Sequence, residues 1–445
     1  MGVFFGTDGL RGRVNDDLSF DIAYKVGNAL GKLKVESKVL IGRDTRKTGA
    51  LLTMGVAGGL MNTGADVTDI GICPTAGIAY LTKELGFDYG VVISASHNPA
   101  EYNGIKIFDK SGKKVGDKME NQIERNFLQS VAVKFSKVGS YTYAPRVALA
   151  YEEFLEKSIK TSLKGKTIVL DCSHGSSYKI APAVFRANGA KIIATYCKPD
   201  GLNINDKCGS LNISKLQKYV LKYKADMGFA FDGDSDRVIA VDELGNVIDG
   251  DKIIYILAKT YKEQGKLSGD MVVGTRHTNM GIEKALNKLG IGMFRTDIGD
   301  KYVSQKLEEK GLLIGGEQSG HVFVKDVLPT GDGVLNALLI AEIVTKENKK
   351  LSSYFDFDLY HQENINVKVG DKMRIINSEA LSVAIEREEN SLGDGARIMI
   401  RVSGTEPYIR IMVEGLNEKA AKESAARLKQ VIESLNKEFD EECAE

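Results

Sequence analysis

The sequence contains no tryptophan and only 7 prolines among its 445 residues, and it has no excess of charge of either sign. The 60 Lys and Arg residues balance 60 Asp and Glu residues, so the formal net charge is zero. A balanced charge excludes the broad positive field with which proteins usually bind nucleic acid or anionic lipid. Any site for an anionic ligand must therefore be local.

Cysteine and long apolar runs are also scarce. The five cysteines, at positions 73, 172, 197, 208 and 443, form no Cys-x-x-Cys pair, and no histidine follows them at zinc-finger spacing. We therefore expect reduced, structural thiols. No stretch approaches the roughly 18 uninterrupted apolar residues of a membrane span, and the N-terminus lacks a basic segment followed by an apolar one. The sequence predicts a cytoplasmic protein.

The composition is that of an ordinary globular protein, with 43% hydrophobic and 27% charged residues. At roughly 150 residues per domain, the length predicts three or four domains. The 47 glycines indicate many tight turns between regular elements.

One pattern occurs three times along the chain: an apolar strand-like run, a loop, a helical stretch, a glycine and further strand-like runs. A late run of each copy ends in a polar loop, and these loops are Ser94–Pro99, Asp232–Arg237 and Gly315–His321. Strands that alternate with helices predict βαβ units, in which ligands bind beyond the carboxyl ends of the strands. The pattern therefore predicts three related α/β domains, each with one ligand-binding loop.

The C-terminal segment predicts a small α+β unit, with strands at 364–369, 397–402 and 408–414 and a helix from about 418 to 439. We place domain boundaries near residues 150, 250 and 365. The predicted domains are I at 1–150, II at 151–249, III at 250–365 and IV at 366–445.

Asp232, Asp234 and Asp236 alternate directly after a buried-looking strand, so their carboxylates can converge. Three converging carboxylates would repel by on the order of 10 kcal/mol at an effective dielectric near 20 unless a cation neutralised them. Hard oxygen ligands favour Mg²⁺ or Ca²⁺ over zinc. An EF-hand is disfavoured because Arg237 stands at the sixth position, where the loop needs glycine. An acidic surface turn is the non-functional alternative.

Ser96 lies in a short turn beside His97, where a hydroxyl is presented at the edge of the sheet. Alone, this serine is typical of a structural turn, and no Gly-x-Ser-x-Gly elbow indicates acyl transfer. Lys106 begins a strand that leaves the same loop, so its ammonium group can return to the site as a phosphate ligand or proton carrier. Its alternative interpretation is a solvated lysine.

Two further loops carry groups that recognise ligands. The loop Gly315–His321 offers a carboxylate, an amide, a hydroxyl and an imidazole, which suit the hydroxyls and amine of a sugar. A second loop combines hydroxyls, flexible backbone N–H groups and two guanidiniums, which suit a phosphate. Its residues are Arg401, Ser403, Gly404, Thr405 and Arg410. A helix-capping turn and a plain hairpin are the respective alternatives.

Five motifs, in this order along nearly the whole chain, resemble those of the α-D-phosphohexomutase superfamily, and most closely those of its phosphoglucosamine mutase branch. They are an N-terminal signature, a phosphoserine loop, a metal loop, a sugar loop and a phosphate loop, at Phe5–Gly12, Ser94–Pro99, Asp232–Arg237, Gly315–His321 and Arg401–Pro407. The resemblance implies three related α/β domains with mixed sheets around a central cleft, plus a smaller C-terminal domain.

By this resemblance Ser96 is a phosphoserine, and one Mg²⁺ per active site is held by its phosphate and by Asp232, Asp234 and Asp236. The phosphoryl group passes to glucosamine 6-phosphate, giving the 1,6-bisphosphate, which serves as intermediate and activator. The other phosphoryl group then returns to the enzyme and leaves glucosamine 1-phosphate, which supplies UDP-N-acetylglucosamine synthesis.

The resemblance also assigns supporting residues. Those that assist catalysis are Arg11, His97 and Lys106. Those that bind the sugar and the phosphate distant from the reaction are Arg237, Glu317, Ser319, His321, Arg401, Ser403, Gly404, Thr405 and Arg410. Two departures from the family pattern, His277 and Lys301, lie in the third domain near the sugar loop, so they bear on specificity.

Three alternatives remain. A phosphoglucomutase or phosphomannomutase would differ only in the sugar that the third domain accepts. A metal-dependent sugar phosphatase would pass the phosphoryl group of Ser96 to water. A sugar-phosphate sensor would bind without catalysis, although it would not need a nucleophile beside a metal. The expected partners are sugar phosphates, with no nucleic acid or membrane, and a homodimer is left open.

Overall fold

A computed structural model describes residues 9–129, 137–393, 395–403 and 407–442. The chain forms two compact units, Met1–Thr278 with Leu289–Phe355 and Asn279–Lys288 with Asp356–Glu445. The cysteines in the described part of the chain, Cys73, Cys172, Cys197 and Cys208, carry free thiols. None of the described helices has both the length and the apolar character needed to cross a membrane.

The first sheet has six strands, in the order β1-β5-β4-β2-β3-β6. In chain order its elements are β1 (Leu10–Arg13), α1 (Phe20–Gly31), β2 (Lys38–Arg43), α2 (Gly49–Met61), β3 (Asp66–Ile72), α3 (Thr75–Glu84), β4 (Tyr89–Ile93), β5 (Tyr102–Asp109), α4 (Asp117–Leu128) and β6 (Tyr141–Tyr143). Strand β2 is parallel to β3 and β4, whereas β4 is antiparallel to β5. Glycine at position 27 allows α1 and α2 to approach closely, because a Cβ there would lie only 2.1 Å from Val56 O.

The second sheet has five strands, in the order β11-β10-β9-β7-β8. Its elements are α5 (Leu149–Lys157), β7 (Thr167–Asp171), α6 (Ile180–Ala187), β8 (Lys191–Thr195), α7 (Ser214–Tyr223), β9 (Met227–Phe231), β10 (Val238–Asp242) and β11 (Val247–Ile248). Strand β7 is parallel to β8 and β9, whereas β9 is antiparallel to β10.

The third sheet has four strands, in the order β13-β12-β14-β15. This part of the chain contains α8 (Gly250–Glu263), β12 (Met271–Thr275), α9 (Met280–Lys288), β13 (Gly292–Thr296), α10 (Asp300–Lys310), β14 (Ile314–Gly316), β15 (Val322–Val324) and α11 (Gly333–Lys346). Strand β12 is parallel to β13 and β14, whereas β14 is antiparallel to β15.

The three sheets share one arrangement: a strand flanked by two parallel neighbours, one of which then pairs with an antiparallel strand. This confirms the threefold α/β pattern and the mixed sheets predicted from the sequence. The Ser94–Pro99, Asp232–Arg237 and Glu317–His321 loops follow β4, β9 and β14, so they occupy the same topological position in the three sheets.

The second unit contains a three-stranded antiparallel sheet in the order β16-β18-β17. Its elements after α9 are β16 (His361–Lys368), α12 (Lys372–Ile376), α13 (Glu379–Leu392), β17 (Ala396–Val402), β18 (Tyr408–Gly415) and α14 (Glu418–Glu442). Apolar side chains such as Ile411 on β18 and Leu428 on α14 form its core. The small α+β unit is therefore confirmed, with α12 and α13 in addition to the elements expected from sequence.

Candidate active site

The serine loop and the aspartate loop meet at a buried hydrogen bond. The Oγ of Ser96 donates to Oδ2 of Asp232 at 2.5 Å, and neither residue has any solvent-exposed surface. Gly233 allows this approach, because a Cβ at that position would lie 2.6 Å from Ser96 O. The equivalent loops of the first two sheets therefore form one site, as their positions at the strand ends predict.

The backbone of Ser96 is held in a left-handed conformation, with φ of +53°. This conformation costs a non-glycine residue about 1–2 kcal/mol, so its surroundings must stabilise it. The N–H of Ser96 donates to Ser94 Oγ at 2.9 Å, and Ser94 Oγ donates to Asp44 Oδ2 at 2.6 Å. A buried polar chain thus fixes the turn that presents the Ser96 hydroxyl.

The three predicted metal ligands converge. Asp232, Asp234 and Asp236 are buried, and each offers an oxygen within 4.8 Å of the others. The Oδ2 of Asp234 accepts a hydrogen bond from Thr75 Oγ1 at 2.7 Å, but no donor among the described residues reaches its buried Oδ1. A buried carboxylate oxygen without a donor, in a cluster of oxygen ligands, fits a hard divalent cation.

Lys106 lies within this acidic cluster rather than in solvent. Its side chain is 1% exposed, and its Nζ lies 2.8 Å from Asp234 Oδ2 and 2.9 Å from Asp236 Oδ2. The lysine lies at the centre of β5, opposite Val92 of β4, so the hairpin that carries Ser96 also brings in this cation. The solvated-lysine interpretation is therefore wrong.

Burial and mutual repulsion separate the proton affinities of the carboxyl groups. Burial and the charges of Asp236 and Asp234 raise the pKa of Asp232 well above its usual value. Burial acts in the same direction on Asp236, but the charges of Lys106 and His321 hold the pKa of Asp236 well below its usual value. The ammonium group thus favours the ionised form of the carboxylate it contacts.

Three further predicted residues, Arg11, His97 and Arg237, contribute to the serine loop or contact it. His97 Nδ1 lies 3.4 Å from Ser96 Oγ and 3.2 Å from Arg237 Nη1. Burial, together with the charges of Arg237 and Arg11, lowers the pKa of His97 to about 4, so its imidazole is neutral at pH 7. Arg11 on β1 donates through Nη1 to Asn98 Oδ1 at 3.4 Å. The site therefore combines a buried hydroxyl with two guanidiniums and a neutral imidazole.

The predicted sugar loop is hydrogen-bonded to the aspartate hairpin, which is β9, the Asp232–Arg237 loop and β10. The N–H of Val238 donates to Gly320 O at 3.1 Å, and the N–H of Gly250 donates to Gln318 O at 3.0 Å. Gly320 has φ of +93°, and a Cβ there would lie 2.2 Å from Val238 O, so only glycine fits. The loop between β14 and β15 is thereby fixed next to the strand that follows the three aspartates.

The side chains of this loop differ in exposure. Glu317 Oε1 accepts from the N–H of Gly299 at 3.0 Å, and burial raises the pKa of Glu317. His321 is buried, with Nδ1 3.6 Å from Asp236 Oδ1; although burial opposes it, Asp236 raises the pKa of His321. Ser319 is exposed. The imidazole of His321 is thus close to an aspartate of the acidic cluster, the carboxylate of Glu317 is bonded to the backbone of Gly299, and Ser319 offers a hydroxyl to solvent.

The predicted phosphate loop lies in the second unit. Arg401 on β17 stands directly opposite Arg410 on β18, and burial together with the Arg410 charge lowers the pKa of Arg401. Like charges in opposite positions of a sheet destabilise it, so this pair is suited to an anion. Ser403 is buried, and Lys372 Nζ donates to its carbonyl oxygen at 2.8 Å. Gly404 and Thr405 lie outside the described residues.

Several residues that hold the serine and aspartate loops do not stand out in the sequence. They are Asp44, Arg46, Thr75 and Asn205, all of which contact the serine or aspartate loops. The only signal was the polar segment Gly42–Thr45 after a strand-like run, which also precedes Arg46. Polar residues after a strand are typical of any loop, so the sequence did not distinguish them.

Lys301 forms ion pairs with helix α4. Its Nζ forms ion pairs with Asp117 and, at 2.8 Å, with Glu120 Oε2, both on α4. The neighbouring Asp300 pairs with Lys114 at 2.6 Å. Lys301 thus connects α10 to α4 through two carboxylates, and its bearing on sugar specificity stays a prediction.

Family models of phosphoglucomutase/phosphomannomutase match the chain in four segments: alpha/beta/alpha domains I, II and III at residues 2–133, 150–245 and 249–360, and the C-terminal domain at 365–431. A phosphoglucosamine mutase of Clostridioides difficile is 42% identical over 97% of this chain and 99% of its own length. A phosphoglucosamine mutase of Caldicellulosiruptor bescii is also 42% identical, over 98% of this chain and 99% of its own length. The chain belongs to the phosphoglucosamine mutase family. It is therefore an intramolecular phosphotransferase, as the motifs predicted.

Solved structures support the fold. A phosphoglucomutase/phosphomannomutase family protein of Burkholderia thailandensis has a TM-score of 0.80 and 23% identity, with 96% of this chain and 97% of that chain covered. An Aspergillus fumigatus N-acetylphosphoglucosamine mutase, solved with GlcNAc-6P and magnesium, has a TM-score of 0.65 and 16% identity, with 98% and 96% covered. Three α/β domains and a small C-terminal domain are thus the fold of this family.

Proposed function

We propose that this protein interconverts glucosamine 6-phosphate and glucosamine 1-phosphate through a phosphoserine at Ser96 and a 1,6-bisphosphate. The observation that carries the proposal is the 2.5 Å hydrogen bond from Ser96 Oγ to Asp232 Oδ2 inside a buried cluster of three carboxylates. A strained, buried serine beside a cation site is suited to carrying a phosphoryl group, since the cation offsets the charge of the phosphate.

We assign the cation as one Mg²⁺ held by Asp232, Asp234, Asp236 and a phosphate oxygen of Ser96. The unpartnered Oδ1 of Asp234 supports this assignment. When bound, Mg²⁺ would neutralise charge that develops on the transferred phosphoryl group. Lys106 already contacts Asp234 and Asp236, so it offsets part of the cluster's negative charge and adds a donor for the same group.

In the first half-reaction a sugar hydroxyl forms a bond to phosphorus, the bond from phosphorus to Ser96 Oγ breaks, and the proton of the sugar hydroxyl passes to Ser96 Oγ. In the second half-reaction Ser96 Oγ forms a bond to the other phosphorus, the bond from that phosphorus to the sugar oxygen breaks, and the proton of Ser96 Oγ passes to the sugar oxygen. His97 lies 3.4 Å from Ser96 Oγ, whereas Arg11 contacts Asn98 and Arg237 contacts His97 in the same loop; we assign all three to binding the phosphoryl oxygens. Because the pKa of His97 is lowered to about 4, its imidazole is neutral at pH 7 and can donate or accept a hydrogen bond there. The second half-reaction uses the same protein groups on the other phosphate. The bisphosphate must therefore reorient, so that its other phosphate faces Ser96.

The substrate's other groups need separate contacts. We assign Glu317, Ser319 and His321 to the sugar, because they offer a carboxylate, a hydroxyl and an imidazole next to the aspartate hairpin. The phosphate distant from the reaction is assigned to the second unit. Its contacts are Arg401, Ser403, Gly404, Thr405 and Arg410. The opposed guanidiniums support this role, since a phosphate relieves their repulsion.

The division of the chain into domains at 1–150, 151–249, 250–365 and 366–445 and a cytoplasmic location belong to the same proposal. The family matches begin and end close to these boundaries, which supports the division. A cytoplasmic location agrees with a substrate that is a charged metabolite. Fractionation of the source cells followed by immunoblotting tests the location.

Phosphorus NMR of the purified protein tests the function. The protein, Mg²⁺ and a trace of glucose 1,6-bisphosphate are mixed in parallel with glucosamine, glucose or mannose 6-phosphate, with Ser96→Ala as the matched control. We expect the glucosamine compound to be converted to its 1-phosphate fastest, and no conversion by Ser96→Ala. Faster conversion of glucose or mannose phosphate would contradict the substrate assignment. Release of inorganic phosphate alone would indicate a phosphatase.

A further inference from the structure

Arg46 is a completely buried cation that touches the serine loop only through backbone oxygens. Its Nη2 donates to Ser96 O at 2.9 Å and to Asn98 O at 2.8 Å. Its Nη1 donates to Tyr102 O at 2.9 Å and also to Pro99 O. One guanidinium thus binds four carbonyl groups of the turn that joins β4 to β5.

The partner of this cation is part of the same network. Arg46 Nε and Asp44 Oδ2 are 2.9 Å apart, and both side chains have no exposed surface. Asp44 Oδ2 also accepts from Ser94 Oγ, which in turn accepts from the N–H of Ser96. The Asp44–Arg46 pair therefore reaches both the N–H and the carbonyl of Ser96. Both groups belong to the residue whose backbone is left-handed, with φ of +53°.

A residue of the second domain binds the same turn. Asn205 Nδ2 donates to Ser96 O at 2.9 Å and to Asn98 O at 3.0 Å. The carbonyl oxygens of Ser96 and Asn98 thus each accept from Arg46 and from Asn205. Four hydrogen bonds converge on two carbonyl groups, one of which belongs to the residue that carries the nucleophile.

We propose that Arg46, supported by Asp44 and Asn205, is a positioning residue that holds Ser96 in its left-handed conformation and so directs Oγ to the metal ligands. The proposal rests on the function proposed above. A planar guanidinium can serve five acceptors in fixed directions, whereas a lysine ammonium has three donors and a single centre. Lysine at position 46 keeps the charge opposite Asp44 but cannot hold all four carbonyls.

The test is Arg46→Lys, with Arg43→Lys as the matched control. Arg43 ends β2 three residues earlier, and its side chain pairs with Asp69 at 2.9 Å instead of with the carbonyl groups of the serine turn. We expect Arg46→Lys to lower kcat about 100-fold with KM changed less than about threefold, because a displacement near 1 Å has such an effect on positioned chemistry. Arg43→Lys should keep kcat within about threefold. Thermal unfolding of both variants shows whether the folded state is retained.

A second readout does not depend on turnover. Each protein is mixed with glucose 1,6-bisphosphate, and phosphorylation of Ser96 is followed by mass spectrometry over time. We expect Arg46→Lys to acquire the phosphoryl group about 100-fold more slowly than the wild type, and Arg43→Lys at the wild-type rate. Wild-type kcat and wild-type phosphorylation in a folded Arg46→Lys protein would overturn the proposal.

A third variant covers the case in which Arg46→Lys does not fold. Asn205→Asp keeps the shape of the side chain and its tolerance of φ near +61°, but it replaces the donor that faces the two carbonyls with an acceptor. We expect a lower kcat with KM retained, and unchanged kcat would overturn the proposal. If the wild-type protein converts no sugar phosphate, the proposed function fails instead, so the two failures are distinguishable.

Discussion

Asp332 is a buried carboxyl group whose ionisation we expect to control stability between pH 4 and pH 6. It is 1% exposed and caps helix α11, since Oδ1 accepts from the N–H groups of Val334 at 2.9 Å and Leu335 at 3.0 Å. Its Oδ2 accepts from Tyr151 Oη at 2.7 Å. Burial outweighs these hydrogen bonds and raises the pKa of Asp332 to about 6.

The sign and size of the effect follow from linkage. The unfolded chain releases this proton near pH 4, whereas the folded protein holds it to about pH 6. The folded state is therefore favoured below pH 4, and this contribution is lost as the pH rises through 6. The two pKa values differ by about 2, which corresponds to about 3 kcal/mol of unfolding free energy.

The variant Asp332→Asn removes the ionisation and keeps the geometry. Asparagine caps helices well through its oxygen, and its amide can donate to Tyr151 Oη once that hydroxyl acts as acceptor. The neutral cap loses about 0.5–1 kcal/mol of interaction with the helix dipole. We therefore expect the variant to be about 2 kcal/mol more stable than the wild type at pH 8 and no more stable at pH 4.

Urea unfolding from pH 4 to pH 8, followed by circular dichroism, measures the difference. The matched control is Asp371→Asn, because Asp371 caps α12 through the same two kinds of hydrogen bond but is exposed. Its variant should differ from the wild type by no more than about 0.5 kcal/mol at any pH. Parallel stability curves for Asp332→Asn and the wild type would refute the reasoning, because they would show that burial does not penalise this charge.

Three variants test the chemistry. Ser96→Ala should fold and bind sugar phosphate but lose at least about 1,000-fold in kcat, and measurable bisphosphate formation by it would contradict a covalent role. Asp234→Asn should weaken Mg²⁺ binding at least about 100-fold in a titration of activity against magnesium, and an unchanged magnesium response would place the metal elsewhere. Arg410→Ala should raise KM for the sugar phosphate about 10-fold to 100-fold, since a hydrogen bond to a charged group contributes about 1.5–3 kcal/mol; an unchanged KM would remove Arg410 from the phosphate site.

Much of the fold could be predicted because its signal is local. Apolar runs such as 227–231 and the polar loop after them repeat three times, and each run became the strand that precedes a functional loop. The convergence of Asp232, Asp234 and Asp236 could be predicted from their alternation after a strand, and the structure brings their carboxylates together. The closeness of Ser96 to Asp232 could also be predicted, because both loops follow strands at their carboxyl ends and the family resemblance places both loops in one site.

The rest depends on contacts between distant parts of the chain. Arg46 binds backbone oxygens. Every residue carries a backbone oxygen, so the sequence of the serine loop does not show that its oxygens bind an arginine. Asn205 lies in an irregular segment more than one hundred residues from Ser96, where asparagine is typical of any turn. Lys301 was expected near the sugar because of its motif, yet its partners Asp117 and Glu120 lie on a helix whose position the sequence does not specify.

Helix α9 belongs to the second unit although the chain returns to the first unit afterwards. Asn279 Nδ2 donates to Tyr360 O at 2.8 Å, and the N–H of Met280 donates to Glu414 Oε1 at 2.8 Å. During synthesis these partners emerge from the ribosome about 80 and 130 residues later, at roughly 5–20 residues per second. The contacts of α9 with these partners can therefore form only several seconds after α9 has been synthesised. A fragment that starts at residue 356 would lack α9, so no single proteolytic cut releases the second unit whole.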